Sequence, residues 1–320
     1  MTHSPPVAPA PSPAPALAPA PRPTRPAARC VARMPLAIRP YLELMRVDRP
    51  VGTWLVVLPG WTAVAMAADA RPGARVPLTV AVLFAVGFLT RGAGCTVNDI
   101  LDRRFDARVT RTTGRPLAAG TIGVRRAWAF FGAQCLVALP IPLLLGPTPF
   151  LVMAAGWVPI VAYPLMKRIT DWPHVWLGPC MSWLVPVGWL AVAGSLDVAA
   201  VLLFVGMSCW AVGCDLVYAH QDRASDAVVG VRSAAVRLGR RSVSVLVGVY
   251  VATIGCLAGA GVAAGLGWAF WPLLALAAGH LVRQLRALDI DDPACCQRVF
   301  LTNPQFAALV LVAVLAGRIR

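Results

Sequence analysis

Acidic side chains are scarce in this chain: Asp and Glu together number 14 among 320 residues, and Glu43 is the only glutamate. Lysine is scarcer still. Lys167 stands alone among the arginines, a bias that fits a GC-rich genome better than any chemical demand. Charged residues of both signs make up 13% of the sequence, against roughly 25% in a soluble domain, which excludes an ordinary soluble fold. The nine cysteines include no CxxC pair, and the adjacent Cys295 and Cys296 lack the spacing of a metal site. Redox and zinc chemistry are therefore set aside, and the thiols read as small residues of a membrane core.

What is abundant is apolar sequence: 58% hydrophobic residues and a mean hydropathy of +0.69. The apolar segments recur near residues 52–69, 76–97, 125–145, 148–165, 174–194, 199–219, 243–265, 267–284 and 304–318. Each approaches the length of about 20 residues that crosses a bilayer as a helix. The expectation is an all-α, polytopic integral membrane protein of about nine transmembrane helices, with the lipid bilayer as its surroundings. Residues 1–38 are rich in Pro and Ala, carry several Arg and no acid, and lack an apolar period. They are expected to be a disordered extension preceding a transmembrane domain over 39–320. A mitochondrial presequence has the same bias, but the prolines oppose the amphipathic helix it needs.

The net charge of +15 does not point to nucleic acid, because the arginines lie in short segments between apolar runs. They alternate. The segments after the second, fourth, sixth and eighth spans hold Arg103, Arg104, Arg108, Arg111 and Arg115, then Lys167 and Arg168, then a run from Arg223 to Arg241, then Arg283, Arg286 and Arg298. The intervening loops have little beyond Arg71 and Arg75. By the positive-inside rule these segments share one side of the membrane. That side is the cytoplasm for a bacterial inner membrane, with the mitochondrial inner membrane as the alternative.

Six of the 14 acids fall in two places on that side. Asn98, Asp102 and Asp106 are spaced i, i+4, i+8, with Asp99 within a turn of Asp102. Asp215, Tyr218, Asp222 and Asp226 step by three, four and four. On continuous helices both sets form a stripe of oxygens. Like charges at this spacing repel and are costly to desolvate near a membrane, so a cation has to accompany them. Hard oxygen ligands suit Mg²⁺, which binds through one or two carboxylates together with substrate phosphates. The interleaved Arg111 and Arg115, with Lys167 and Arg168, supply further positive charge, and metal plus guanidinium implies a diphosphate ligand. A solvated rim of charges at two helix ends is the plainer alternative.

"NDILDRRFDARVTRTTGRPLAAG" (98–120) resembles the NDxxDxxxD and RTxxRPLxxG motif of the UbiA superfamily of intramembrane aromatic prenyltransferases. "DLVYAHQDRASDAVVGVRS" (215–233) resembles that family's second motif, DxxYAxxDxxxD with a following Gly, Ile or Val, Lys or Arg, Ser. "LMRVDRPVGTWLVVLPGW" (44–61) and "AYPLMKRIT" (162–170) fit its 4-hydroxybenzoate branch. The resemblance implies nine helices around a central cavity open laterally to lipid, with the two motifs facing each other across it. It implies that Asn98, Asp102, Asp106, Asp222 and Asp226 hold Mg²⁺ on an allylic prenyl diphosphate, while Asp99, Asp215 and Tyr218 match positions of less definite role. The acceptor it implies is 4-hydroxybenzoate or a related phenolic acid, alkylated ortho to its hydroxyl. Ser225 replaces a common acid, His220 a common apolar residue, and Arg232, Ser233 and Ala234 a common Lys-Ser-Thr.

An acceptor carboxylate wants a cation. Arg91 lies seven residues before Asn98, on nearly the same helical face, and reads either as that cation or as a side chain reaching for the interface. Arg49 is a second candidate, supported by the resemblance alone. His220 reads as a proton acceptor or as a structural residue. The competing function class is a carrier for a cation or phosphorylated solute, which the lack of acids in mid-span and of an inverted repeat disfavours.

Overall fold

The computed structural model describes residues 26–68, 73, 75–109, 111–224 and 232–319. Among them every regular element is a helix: α1 (Pro26–Ala32), α2 (Arg39–Leu44), α3 (Val51–Ala67), α4 (Arg75–Asp106), α5 (Val124–Ala138), α6 (Pro147–Ile169), α7 (Pro173–Ser182), α8 (Leu184–Ala193), α9 (Val198–Ala219), α10 (Ala234–Leu238), α11 (Ser242–Ala263), α12 (Phe270–Ala287), α13 (Pro293–Phe300) and α14 (Asn303–Arg318). Each of the nine apolar segments coincides with helix. Seven helical stretches among the described residues are long and apolar enough to cross a membrane. Of the other two segments, α3 is shorter, with 17 residues, and the C-terminal half of α12 carries His280, Arg283, Gln284 and Arg286. The chain is thus an integral membrane protein, with seven spans by this measure where the sequence suggests nine.

Most of the expected disordered extension lies outside the described residues. Residues 26–38 do not: α1 forms there, with Val31 buried. A proline in its first turn followed by two alanines is a good helix start.

Prolines shape the spans. Pro186, three residues into α8, cannot donate to the carbonyl of Ser182, and the Pro173–Ala193 span breaks between α7 and α8 at Trp183. The Trp183 indole donates instead to the Val152 carbonyl of α6 at 2.8 Å. Where helices meet most closely, a glycine permits it: a Cβ on Gly178 of α7 would lie 2.6 Å from the Ser208 carbonyl of α9. α9 is the central helix, packed along α7 and α11, while α3 lies against α8, α4 and α14. Trp210 on α9 and Phe306 on α14 meet at 5.4 Å with their rings tilted by 35° and are fully buried. Beside them the buried Asn303 amide oxygen accepts from Trp210 Nε1 at 3.2 Å and from Gln284 Nε2 at 3.3 Å, a polar tie between three helices. The outward faces remain apolar, with Leu136, Leu151, Val158 and Val251 among the exposed side chains, as a lipid-facing surface requires.

Candidate active site

α4 continues well past the length that spans a bilayer, 32 residues in all, so the whole first acidic cluster lies on one helix. Asp106 of the expected Asn98, Asp102, Asp106 stripe shares its arginine with Asp99. Asp99 and Asp106, two turns apart, turn the same way and share the Arg115 guanidinium, at 3.1 Å to Asp99 and 2.8 Å to Asp106. Asn98 and Asp99 line the cavity; Asp102 is not among its lining residues. Arg46, ahead of α3, also grips Asp99, with contacts of 2.6 and 2.8 Å to its two oxygens. Asp99 is 1% exposed, so the two guanidinium groups are what allow a carboxylate to stay there. Burial alone would lower the Arg46 pKa, but the charge and hydrogen bond of Asp99, with Cys95 and Asp48 nearby, together outweigh it and the net direction is upward.

The second cluster sits at the end of α9. Asp215 and Tyr218 are on the helix, but α9 ends at Ala219 and Asp222 lies in the turn beyond it, its amide bonded to the Ala219 carbonyl. The expected helical stripe is therefore halved. Asp226 lies outside the described residues. Lys167 and Arg168 fall within α6, and their side chains are also outside the described set.

The two clusters meet through Arg111. It follows the first cluster in sequence, yet its Nε donates to Asp222 Oδ1 at 2.6 Å, its Nη2 to Oδ2, and its Nη1 to the Tyr218 hydroxyl at 2.9 Å. Burial opposes the charge on Arg111, and the bonds to Tyr218 and Asp222 more than offset it. Asp215 is held differently. Its partner is the Nδ1 of His174, in the first turn of α7.

Between the clusters and the apolar helices lies a cavity of about 1040 Å³. Its polar end is formed by Arg46, Arg49, Asn98, Asp99, Arg111, Arg115, Asp215 and Tyr218, and its deeper wall by Leu55, Val56, Met153, Ile160, Trp183 and Leu184. Arg91 is on the cavity wall rather than reaching outward: its guanidinium crosses Gly52, where any Cβ would collide with it, and donates to the Met45 carbonyl at 3.3 Å. Arg49 lines the cavity too, beside Asp48 at 3.1 Å. His220 does not line it; the ring is buried, and burial, then Arg223, pushes its pKa down to about 4. It is a packed neutral side chain, on the structural side of its two readings.

The oxygen donors at the polar end are carboxylates, an amide and a phenol, a set that suits a hard divalent cation such as Mg²⁺, and Cys95, Cys180 and Cys214 also line the cavity. Among the described residues no three acidic, His or Cys side chains form a ready-made metal cluster.

Sequence reasoning missed Arg46, His174, Tyr163 and Gln221. Arg46 lies inside the quoted stretch 44–61, and a buried Asp99 in need of a cation was the signal for it. Nothing in the sequence pairs His174 with Asp215, 41 residues away. Gln221 lines the cavity with a buried amide nitrogen that has no partner among the described residues.

Known proteins share this design. The sequence profile of the UbiA prenyltransferase family matches residues 56–312. The mitochondrial 4-hydroxybenzoate polyprenyltransferase of Arabidopsis thaliana is 40% identical over 287 residues, covering 89% of this chain and 70% of its own. The Homo sapiens protein of the same name is 38% identical over 296 residues, covering 92% and 79%. Among solved structures, a UbiA homolog from Aeropyrum pernix K1 superposes with a TM-score of 0.68 at 23% identity, covering 83% of this chain and 96% of that one. A UbiA homolog from Archaeoglobus fulgidus bound to DMAPP and Mg²⁺ does so with a TM-score of 0.64 at 17% identity, covering 87% and 98%.

Proposed function

The chain belongs to the UbiA prenyltransferase family, and from that premise we propose that it transfers a prenyl group from an allylic diphosphate to C3 of 4-hydroxybenzoate, ortho to the hydroxyl, with Mg²⁺ as cofactor. The observation that carries this reading is Arg111, which ties the loop after the first aspartate motif to Asp222 and Tyr218 of the second, over a cavity that is cationic at one end and apolar at the other. The names of the two polyprenyltransferases support the acceptor, and the ligands of the Archaeoglobus structure support the donor and the metal.

The reaction breaks the allylic C–O bond, forms a C–C bond to the ring and releases a ring proton and diphosphate. Asn98, Asp102, Asp106, Asp222 and Asp226 are the residues that would hold Mg²⁺, which when bound neutralises the departing oxygens as a Lewis acid. Arg111 and Arg115 exchange their carboxylate partners for diphosphate oxygens, and Lys167 and Arg168 add charge from α6. Arg91 takes the acceptor carboxylate from its seat over Gly52, with Arg49 as the second cation within the cavity. Leu55, Val56, Met153 and Leu184 accommodate the prenyl tail and keep water from the electron-poor carbon. The active site faces the arginine-rich side of the membrane: the cytoplasm in a bacterium, the matrix in a mitochondrion.

The test is product formation in membranes containing the protein with 4-hydroxybenzoate, Mg²⁺ and geranyl or longer prenyl diphosphates, with Asp102→Ala and Asp222→Ala as controls. Metal-dependent prenylated 4-hydroxybenzoate, absent in both variants, is the expected result. Reaction of homogentisate or a naphthoate but not 4-hydroxybenzoate would overturn the acceptor and keep the chemistry. Prenylation at an oxygen would overturn the C3 assignment.

A further inference from the structure

A carbon of a phenol ring that has gained a prenyl group must lose its hydrogen before aromaticity returns. We infer that Asp215 accepts this proton and that His174 is the residue that positions it, an inference that rests on the prenyl-transfer reading above. Asp215 lines the cavity from α9, one turn before Tyr218. Unlike Asp99, Asp106 and Asp222, it has no arginine partner among the described residues; its partner there is an imidazole. That difference is chemical. A guanidinium that takes both oxygens, as Arg111 does at Asp222, occupies both sites where a proton could add, whereas the single contact from His174 orients the Asp215 carboxylate through Oδ2 and leaves Oδ1 for a proton.

His174 is built for that orienting role and not for contact with substrate. It is 5% exposed and absent from the cavity lining. Its Nε2 is buried without a partner. The contact of its Nδ1 with Asp215 is what orients the ring. The spacing of the pair is set by the close approach of α7 and α9 at Gly178, one turn from His174, and Ser208, two turns from Asp215.

In the proposed step the C–H bond at the alkylated carbon breaks, its electron pair re-enters the ring, and the proton goes to Asp215 Oδ1. The resulting neutral carboxylic acid keeps its bond to His174 and is re-ionised when the proton leaves with the diphosphate product or water. Proton loss from such a cation is ordinarily faster than the C–O cleavage that forms it, so ring deuteration should not slow the intact enzyme. It should slow an enzyme whose base is damaged.

The experiment compares 4-hydroxybenzoate with its 3,5-dideuterated form in the wild type, Asp215→Asn, His174→Ala and His174→Gln, each first checked for a monodisperse, thermally stable preparation in detergent. Asp215→Asn is expected to lower kcat by about 100-fold or more, with the KM for prenyl diphosphate unchanged and a primary isotope effect that the wild type lacks. His174→Ala is expected to show the same isotope effect with a smaller loss, and His174→Gln, which retains an N–H donor, to recover most of it. Reduced activity with no isotope effect in either position, or a raised KM for prenyl diphosphate as the main change at Asp215, would overturn the inference and place Asp215 with the diphosphate ligands. No product from the wild type with any phenolic acid would instead overturn the parent reading, and this one with it.

Discussion

Arg46 adopts φ +58, a conformation that costs a non-glycine residue roughly 1–3 kcal/mol where the surroundings impose it. Its bonds to Asp99 are what offset that cost. Losing one partner of a buried pair costs about 3–5 kcal/mol, though Arg115 would still hold Asp99 in part. Arg46→Gly removes the strain and the cation together, so the two effects oppose each other and the ion pair should win. The expected outcome is a net loss of about 1–3 kcal/mol, seen as a lower melting temperature in detergent; an increase would mean the backbone strain dominates. Gly52 offers a different separation. A methyl group there displaces the Arg91 guanidinium without touching the aspartate motifs. Gly52→Ala should therefore raise the KM for the phenolic acid by about 10-fold or more while the KM for prenyl diphosphate stays within about 2-fold. Equal effects on both substrates would dissociate Arg91 from the acceptor.

Among elements, α4 and α9 carry the chemistry, and they were legible to different degrees. The first motif was readable because a single unbroken helix converts spacing in sequence into direction in space. Asp99 and Asp106, which share Arg115, turn the same way because seven residues close two turns more nearly than four close one. The second motif was readable as a pattern, but its helical stripe was not, since α9 ends at Ala219 and a turn carries Asp222. Pairings between elements were not readable at all: His174 with Asp215 and Arg111 with Asp222 depend on how α7 and the loop after α4 pack, which no local period encodes. The close approach of α7 to α9 gives this level its test. Gly178→Leu should separate the two helices, lower the melting temperature by several degrees and reduce turnover even though residue 178 touches neither motif. Unchanged stability would mean that the Ser208 carbonyl at 2.6 Å from the added Cβ is easily moved aside.

For the whole molecule the central question is how a chain with so few acids keeps several of them buried at one end of a membrane bundle. In the fold described here the arginines answer it: Arg46 and Arg115 hold Asp99 and Asp106, and Arg111 holds Asp222. Among the described residues these three carboxylates are charge-balanced by arginines, so the bundle is expected to keep its stability without a divalent ion, while the proposed reaction needs one. Chelation should accordingly abolish prenyl transfer and leave the melting temperature almost unchanged. Mg²⁺ added together with a non-reactive prenyl diphosphate analogue should then raise stability by mass action, about 2.7 kcal/mol at a concentration 100 times the Kd. Arg111→Ala separates the two roles of the guanidinium. It leaves Asp222 without its clasp and the diphosphate without a counter-charge, so both the metal-free melting temperature and the stabilisation by the analogue should fall. A large fall in melting temperature on chelation of the unliganded wild type would instead mean that a resident cation, not Arg111 and Arg115, balances the aspartates.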